Sequence, residues 1–475
     1  MKLVEMTCPN CGGDLKKTSD TMAKCSHCGA EFEIDRGQPE NVTNVYENTS
    51  QTKTIIVGIL AAVLIGGFIA IAASSSKTKP FGGISQTSGN QSGQTQIDNE
   101  IVYSRFFRDF TKAVFNKEPQ DVTENELSSI TYLNIGVSSP VVTVRYSMND
   151  DKVHRVLLAE GDVPYGSDAE FSQDLGRFTN LHTFCDYYTA PNENTLSKLE
   201  NLTELRSDNS PEELVQSLPH PENLTTLYCR SGSNPSLAGI EAFTNLTELS
   251  ISGYTDELND ISGLGALTHL KSLSLEAGEV LSDFGVLQSL TELEELNLKA
   301  EKLKELSFLK SLTHLKKLTI KEAVMLDISP IGKLKELTDL CLEDNNNITD
   351  FKALSGLSGL KTLTIQLPTN VSMPSVKKWK HLTRLTVING EDISFLSSLP
   401  QLRSLSLVYT NCSAYNALTS LHNLKELKLK SIYGDIRNPK FLNQMKQLKS
   451  LDLSSLRLYG NVESIFSLHS ETGKP

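Results

Sequence analysis

From about residue 178 to 453, apolar positions recur with a period near 22. Clear copies place leucines at 264, 267, 270, 273 and 275, at 287, 290, 293, 296 and 298, and at 418, 421, 424, 427 and 429. Ile331, Leu334, Leu337, Leu340 and Leu342 vary the same theme. Each unit reads L-x-x-L-x-x-L-x-x-L-x-L. The final L-x-L has the period of two of a strand with one buried face, and the steps of three before it suit a short helix or 3₁₀ segment. One unit cannot bury either apolar face alone, so the pattern predicts roughly thirteen stacked units.

Acidic-apolar pairs follow the strands: Asp260-Ile261, Asp283-Phe284, Glu305-Leu306, Asp327-Ile328, Asp350-Phe351 and Asp392-Ile393. The acid is expected to cap the first turn of the helical segment while its neighbour enters the core. Together these marks resemble the leucine-rich-repeat family, in particular the roughly 22-residue type of internalin-like bacterial surface proteins. The resemblance covers about 275 residues. It implies an α/β leucine-rich-repeat solenoid with a curved parallel β-sheet and a convex side of short helical or 3₁₀ turns. The family's interior Asn is present as Asn345, but Gly278, Glu301 and Ala323 hold the matching positions elsewhere, so the ladder it would make must be satisfied otherwise.

Stacked strands about 4.8 Å apart give a sheet on the order of 60 Å long. Its concave face, where this family usually binds partners, carries mostly small hydroxyls and mixed charges. Tyr187, Arg206, Tyr228 and Arg230 are the best candidate anchors, because interface hot spots are enriched in Tyr and Arg. Tyr also favours strands whatever the function. Cys185, Cys341 and Ile388 fall on outward-facing positions, Cys229 on a buried one, and Trp379 replaces a repeat leucine.

Before the repeats the pattern changes three times. Ile55 to Ala73, IIVGILAAVLIGGFIAIAA, has no charged residue and would span about 28 Å as a helix, which predicts a single transmembrane segment. Gly58, Ala62, Gly66, Ala70 and Ser74 line one face of it and offer a surface for self-association, although Gly and Ala are common in such helices. Residues 37–54 read as a juxtamembrane linker and 74–100 as a flexible Ser/Gly/Gln spacer. Residues 101–177 read as an N-terminal cap, with Phe106, Phe107, Phe110 and Val114 at helical spacing and a β-hairpin from Val141–Tyr146 and Val153–Leu158. No role follows for that hairpin from the sequence. Residues 454–475 form a C-terminal cap or tail.

Four of the eight cysteines cluster at the N-terminus. Cys8, Cys11, Cys25 and Cys28 form two Cys-x-x-Cys pairs, each followed by Gly, with the spacing of a structural four-thiolate Zn²⁺ site; residues 1–36 are therefore expected to be a zinc ribbon. Two disulfides would use the same residues, but no cleavable secretion signal precedes them. The formal net charge of -12 argues against nucleic acid as a partner. Nucleic-acid or translation-machinery binding by the ribbon is further weakened by its balance of six Lys/Arg against eight Asp/Glu over residues 1–54.

No G-x-x-x-x-G-K-[ST], G-x-S-x-G or H-E-x-x-H pattern is present, so the expectation is a non-catalytic protein. Thiolate-bound zinc suits a reducing compartment, which places the N-terminus in the cytoplasm and the repeats outside. Lys53 on one side of the helix and Lys77 and Lys79 on the other lean the opposite way. The sequence thus predicts a membrane-anchored protein that recognises a protein or surface polymer through the concave sheet. A second reading makes it a transmembrane sensor that couples outside binding to the ribbon.

Overall fold

The chain divides into two compact units, Met1–Ile97 and Asp98–Pro475. The computed structural model describes residues 15–17, 22–25 and 31–33 of the first. Of the second it describes 101–138, 141–149, 152–159, 170–186, 196–231, 235–253, 257–368, 371–410, 415–430, 435–436, 439–453 and 457–458. Cys8, Cys11, Cys28, Tyr187, the apolar segment 55–73 and its flanking linkers lie outside the described residues. Among the described residues no helix is long and apolar enough to cross a membrane.

In the first unit, β1 (Leu15–Lys17), β2 (Met22–Cys25) and β3 (Glu31–Glu33) form an antiparallel sheet in sequential order. Leu15 is registered opposite Cys25.

The second unit opens with α1 (Arg105–Phe115) and α2 (Glu124–Ser128). A three-stranded piece follows: β4 (Tyr132–Ser138), β5 (Val141–Ser147) and β6 (Val153–Ala159). After α3 (Phe171–Leu175) come the first repeat strands: β7 (Thr183–Asp186), β8 (Glu204–Ser207), β9 (Thr226–Arg230) and β10 (Glu248–Ser252). The series continues with β11 (Ser272–Ala277), β12 (Glu295–Ala300), β13 (Lys317–Lys321), β14 (Asp339–Glu343) and β15 (Thr362–Gln366). It ends with β16 (Arg384–Ile388), β17 (Ser404–Val408), β18 (Glu426–Lys430) and, after the short β19 (Asp435–Ile436), β20 (Ser450–Asp452).

All of these except β19, which pairs with Arg457–Leu458, join in a sixteen-stranded sheet. From β7 onward every neighbour is parallel and in register, leucine beside leucine: Leu296 pairs Leu318, Leu318 pairs Leu340, and Leu340 pairs Leu363. The expected steps of three become 3₁₀ turns such as Ser262–Ala266, Gly285–Ser289 and Lys352–Gly356. The result is a leucine-rich-repeat solenoid whose apolar columns are closed to solvent: Leu205, Leu227, Leu249, Leu273, Leu296, Leu318, Leu340 and Leu363 are each at most 2% exposed. Each repeat covers the bare apolar edge of the one before it.

Five of the six acidic-apolar pairs work as expected with one shift of position; Glu305 makes no such bond at its turn. Asp260, Asp283, Asp327, Asp350 and Asp392 accept backbone N–H bonds of 2.7–2.8 Å from Ser262, Gly285, Ser329, Lys352 and Ser394, two residues on. The apolar neighbour, not the acid, is the residue at the helical boundary. The missing interior Asn is also accounted for. Asn345 accepts from Ala323 N at 2.9 Å and donates to Ile320 O at 2.7 Å. Where it is absent, between β11 and β12, the strands run one residue further and Ala277 pairs Ala300. A different ladder supports several of the turns: Asn201, Asn245 and Asn423 each donate a side-chain N–H to a carbonyl of the preceding unit at 2.7–2.9 Å, and Asn180 donates to Ser128 O at the end of α2 at 2.9 Å.

Trp379 occupies its repeat position as core, fully buried, and donates from Nε1 to Leu354 O of the preceding repeat at 3.0 Å. At the N-terminal end, Phe106, Phe107 and Phe110 of α1 pack against Phe171 and Phe178 with ring centroids 5.4–5.9 Å apart. Buried Asp174 ties this end together, accepting from Ser104 N at 2.6 Å and Arg177 Nε at 2.8 Å. The hairpin whose role the sequence left open extends the solenoid sheet. β4 pairs β7 in parallel, and β5 and β6 then add antiparallel, so the chain direction reverses where the repeats begin.

Two outcomes follow. Trp379→Ala deletes a large side chain from a filled core and should cost about 3–5 kcal/mol in urea unfolding followed by circular dichroism; a loss below about 1 kcal/mol would refute this packing. The carboxyls of Asp260, Asp350 and Asp392 are held below the usual range, chiefly by the backbone N–H groups they accept. Their contribution is present above an unfolded pKa of about 4 and lost as pH falls through the lowered folded values. The melting temperature should therefore drop below about pH 4, and Asp260→Asn with Asp392→Asn should flatten that slope.

Candidate functional site

One face of the sheet meets the 3₁₀ turns through the leucine columns; among the described residues the other is open. On the open face the residues between the paired leucines form a row across β7, β8 and β9: Cys185, Arg206 and Tyr228 in direct register. From β10 to β17 the same row holds only small neutral residues, Ser250, Ser274, Asn297, Thr319, Cys341, Thr364, Thr386 and Ser406. Charge returns at the far end, with Lys428 on β18 and Asp452 on β20, but among these repeat strands the row's arginine and its aromatic ring stand at the N-terminal end.

There the Arg206 guanidinium lies over the Tyr228 ring, 4.0 Å from its centroid. Three acids hold this group in place. Glu204 accepts from Arg206 Nε at 3.1 Å, Glu248 accepts from the Tyr228 hydroxyl, and Asp208 accepts from Arg230 Nε at 2.9 Å. Gly253, at φ 105°, lets the aliphatic stem of Arg230 lie close to its Cα. Burial pushes the Tyr228 hydroxyl up to about 12, and its bond to Glu248 adds to the shift, so the ring stays neutral. A cation stacked on an aromatic and fixed at both ends presents a flat, polar-edged surface with little rotamer freedom left to lose.

Of the four expected anchors, the structure brings Arg206 and Tyr228 into contact and places Arg230 beside them with its own acid. Glu204 and Glu248 were not singled out from sequence, although both stand directly before the first leucine of a strand. Three outward-facing expectations are corrected. Cys185 belongs to the open-face row yet is only 1% exposed, because Tyr132, Asn134 and Arg206 close over it; burial pushes its thiol up. Cys341 is half-buried rather than exposed, and burial raises its thiol too, so neither is poised as a thiolate. Ile388 is 9% exposed, folded into the strand end. Cys229 is buried as expected, its thiol pushed up to about 12. Of the expected zinc ligands only Cys25 lies in the described residues, at the end of β2.

No family model matches the chain, and no curated protein matches it. Several solved structures align with it. An internalin from Listeria monocytogenes is 24% identical over 77% of this chain and 86% of its own, with a TM-score of 0.40. A leucine-rich-repeat protein from Leptospira interrogans is 22% identical over 64% of this chain and 79% of its own, with a TM-score of 0.47. The functional domain of the Listeria monocytogenes protein InlJ, which includes a cysteine ladder, is 16% identical over 58% of this chain and 68% of its own, with a TM-score of 0.40. The repeat fold stands on the in-register sheet and its leucine columns.

Proposed function

We propose that this chain is a membrane-anchored, non-catalytic binding protein whose repeats recognise a protein or surface polymer through the open face of the sheet. The Arg206–Tyr228 stack carries the reading: it is a preorganised cation and aromatic beside a run of eight small neutral residues, and such groups dominate interface energetics. The apolar segment 55–73 supplies the anchor, with the N-terminus in the cytoplasm and the repeats outside. Cys8, Cys11, Cys25 and Cys28 hold a structural Zn²⁺, a reading supported by their two Cys-x-x-Cys spacings. Such a closed four-thiolate site supplies folding energy rather than chemistry.

Two measurements test this. Protease treatment of intact, wall-stripped cells should remove the repeats and spare the ribbon; protected repeats would reverse the topology. A photo-crosslinker replacing Ser250, next to Tyr228 in the row, should capture a partner on intact cells, and the Arg206→Ala, Tyr228→Ala double variant should lower capture by about tenfold or more. Equal capture by the double variant would remove this site from the interface.

A further inference from the structure

The row through Cys185 and Arg206 does not stop at the first repeat. Registered pairs carry it onto β4 at Asn134, β5 at Arg145 and β6 at Arg155. Arg145 and Arg155 stand directly opposite each other, both exposed, on the same face as Arg206 and Tyr228. Like charges in direct cross-strand register destabilise a sheet. Among the described residues no carboxylate answers either one; Arg155 Nη2 donates to the Thr143 hydroxyl at 3.4 Å, and Arg145 acts on the Tyr132 hydroxyl only through its charge. Arg206 and Arg230, by contrast, each have an acid. Val153 and Leu157 flank Arg155 on the same face of β6 and are 63% and 57% exposed.

We propose that Arg145 and Arg155 form an anion-recognising extension of the Arg206–Tyr228 site, and that it accepts an extended acidic peptide segment of a protein partner. This rests on the open-face reading above. Two adjacent guanidinium forks match a carboxylate or a pair of them. Val153 and Leu157 stand on either side of Arg155 along β6, so a segment crossing the sheet at Arg155 meets an exposed apolar side chain on each flank. From Arg155 to Arg206 is four strand steps, about 19 Å at ~4.8 Å per step, which about six extended residues span. Nucleic acid is disfavoured because the two unanswered arginines sit at the end of a sheet belonging to an acidic chain, too few to neutralise a phosphate backbone.

The test uses the full-length chain in detergent micelles and a fluorescein-labelled peptide of about eight residues, glutamates flanked by leucines, followed by fluorescence polarisation. Wild type should bind with an affinity that falls as salt rises, and Arg145→Ala with Arg155→Ala should weaken it by about tenfold or more. Because both side chains are exposed and repel each other across the strand pair, the melting temperature of the alanine variant should not fall. Charge reversal, Arg145→Glu with Arg155→Glu, should lose the glutamate peptide and gain its lysine counterpart, a result that misfolding cannot produce. No binding by wild type, or equal binding by the alanine variant, overturns the proposal. Weakening by Arg206→Ala alone, with the alanine pair unaffected, overturns it while leaving the open-face site standing. Displacement of the peptide by inorganic polyphosphate at lower concentration than by free glutamate peptide overturns the peptide in favour of a phosphate polymer.

Discussion

A repeat of some twenty-two residues cannot remove its own leucines from water, and the rest of this molecule depends on that. Its strand has one apolar face and its turn another, and both are closed only when a neighbouring unit arrives in register. Register is therefore over-determined. The leucine columns demand it, the parallel ladder demands it, and the side-chain amides of Asn201, Asn245 and Asn423 reach back to the preceding unit over 22 or 23 residues. Aspartates that hold the turn entrances complete each unit locally, so the long-range and short-range requirements agree.

Once the inner face is committed to leucine, the open face is free to vary, and its variation is uneven. Eight successive strands present serine, threonine, asparagine or cysteine in the central row. At the N-terminal end the same row turns to arginine and tyrosine, with acids spent on holding them rather than opposing them. The scaffold is uniform; the chemistry is local.

The repeat architecture was legible because it is written in side-chain periodicity. Leu318 and Leu340 announce their burial by spacing alone, and Trp379 by standing in a leucine's place. The interior of the open-face site was less legible. Cys185 reads as outward-facing from its alternation, yet its exposure depends on Arg206 and Tyr132, which come from strands 21 residues downstream and 53 upstream. Asn201 and Asn245 look like ordinary turn residues until the unit behind them supplies a carbonyl. Arg145 and Arg155 could be assigned to a hairpin from sequence, but not to the binding face, because the link runs through β4 pairing β7, a contact between segments some fifty residues apart. What periodicity cannot express is which non-repeating strand joins the repeating ones.

That junction has a consequence for how the chain can change over time. Between β7 and β18 every unit offers its successor the same edge it received, so duplication or loss of a whole unit leaves both new neighbours matched. Partial insertions do not share this tolerance, since they would shift leucines off their columns. The reversal of strand direction at β4 and β5 breaks the equivalence on one side. Length can therefore drift by whole units through the small-residue middle of the row, while the arginine-rich end, tied to a strand pair that no repeat can copy, keeps its place at the head of the array.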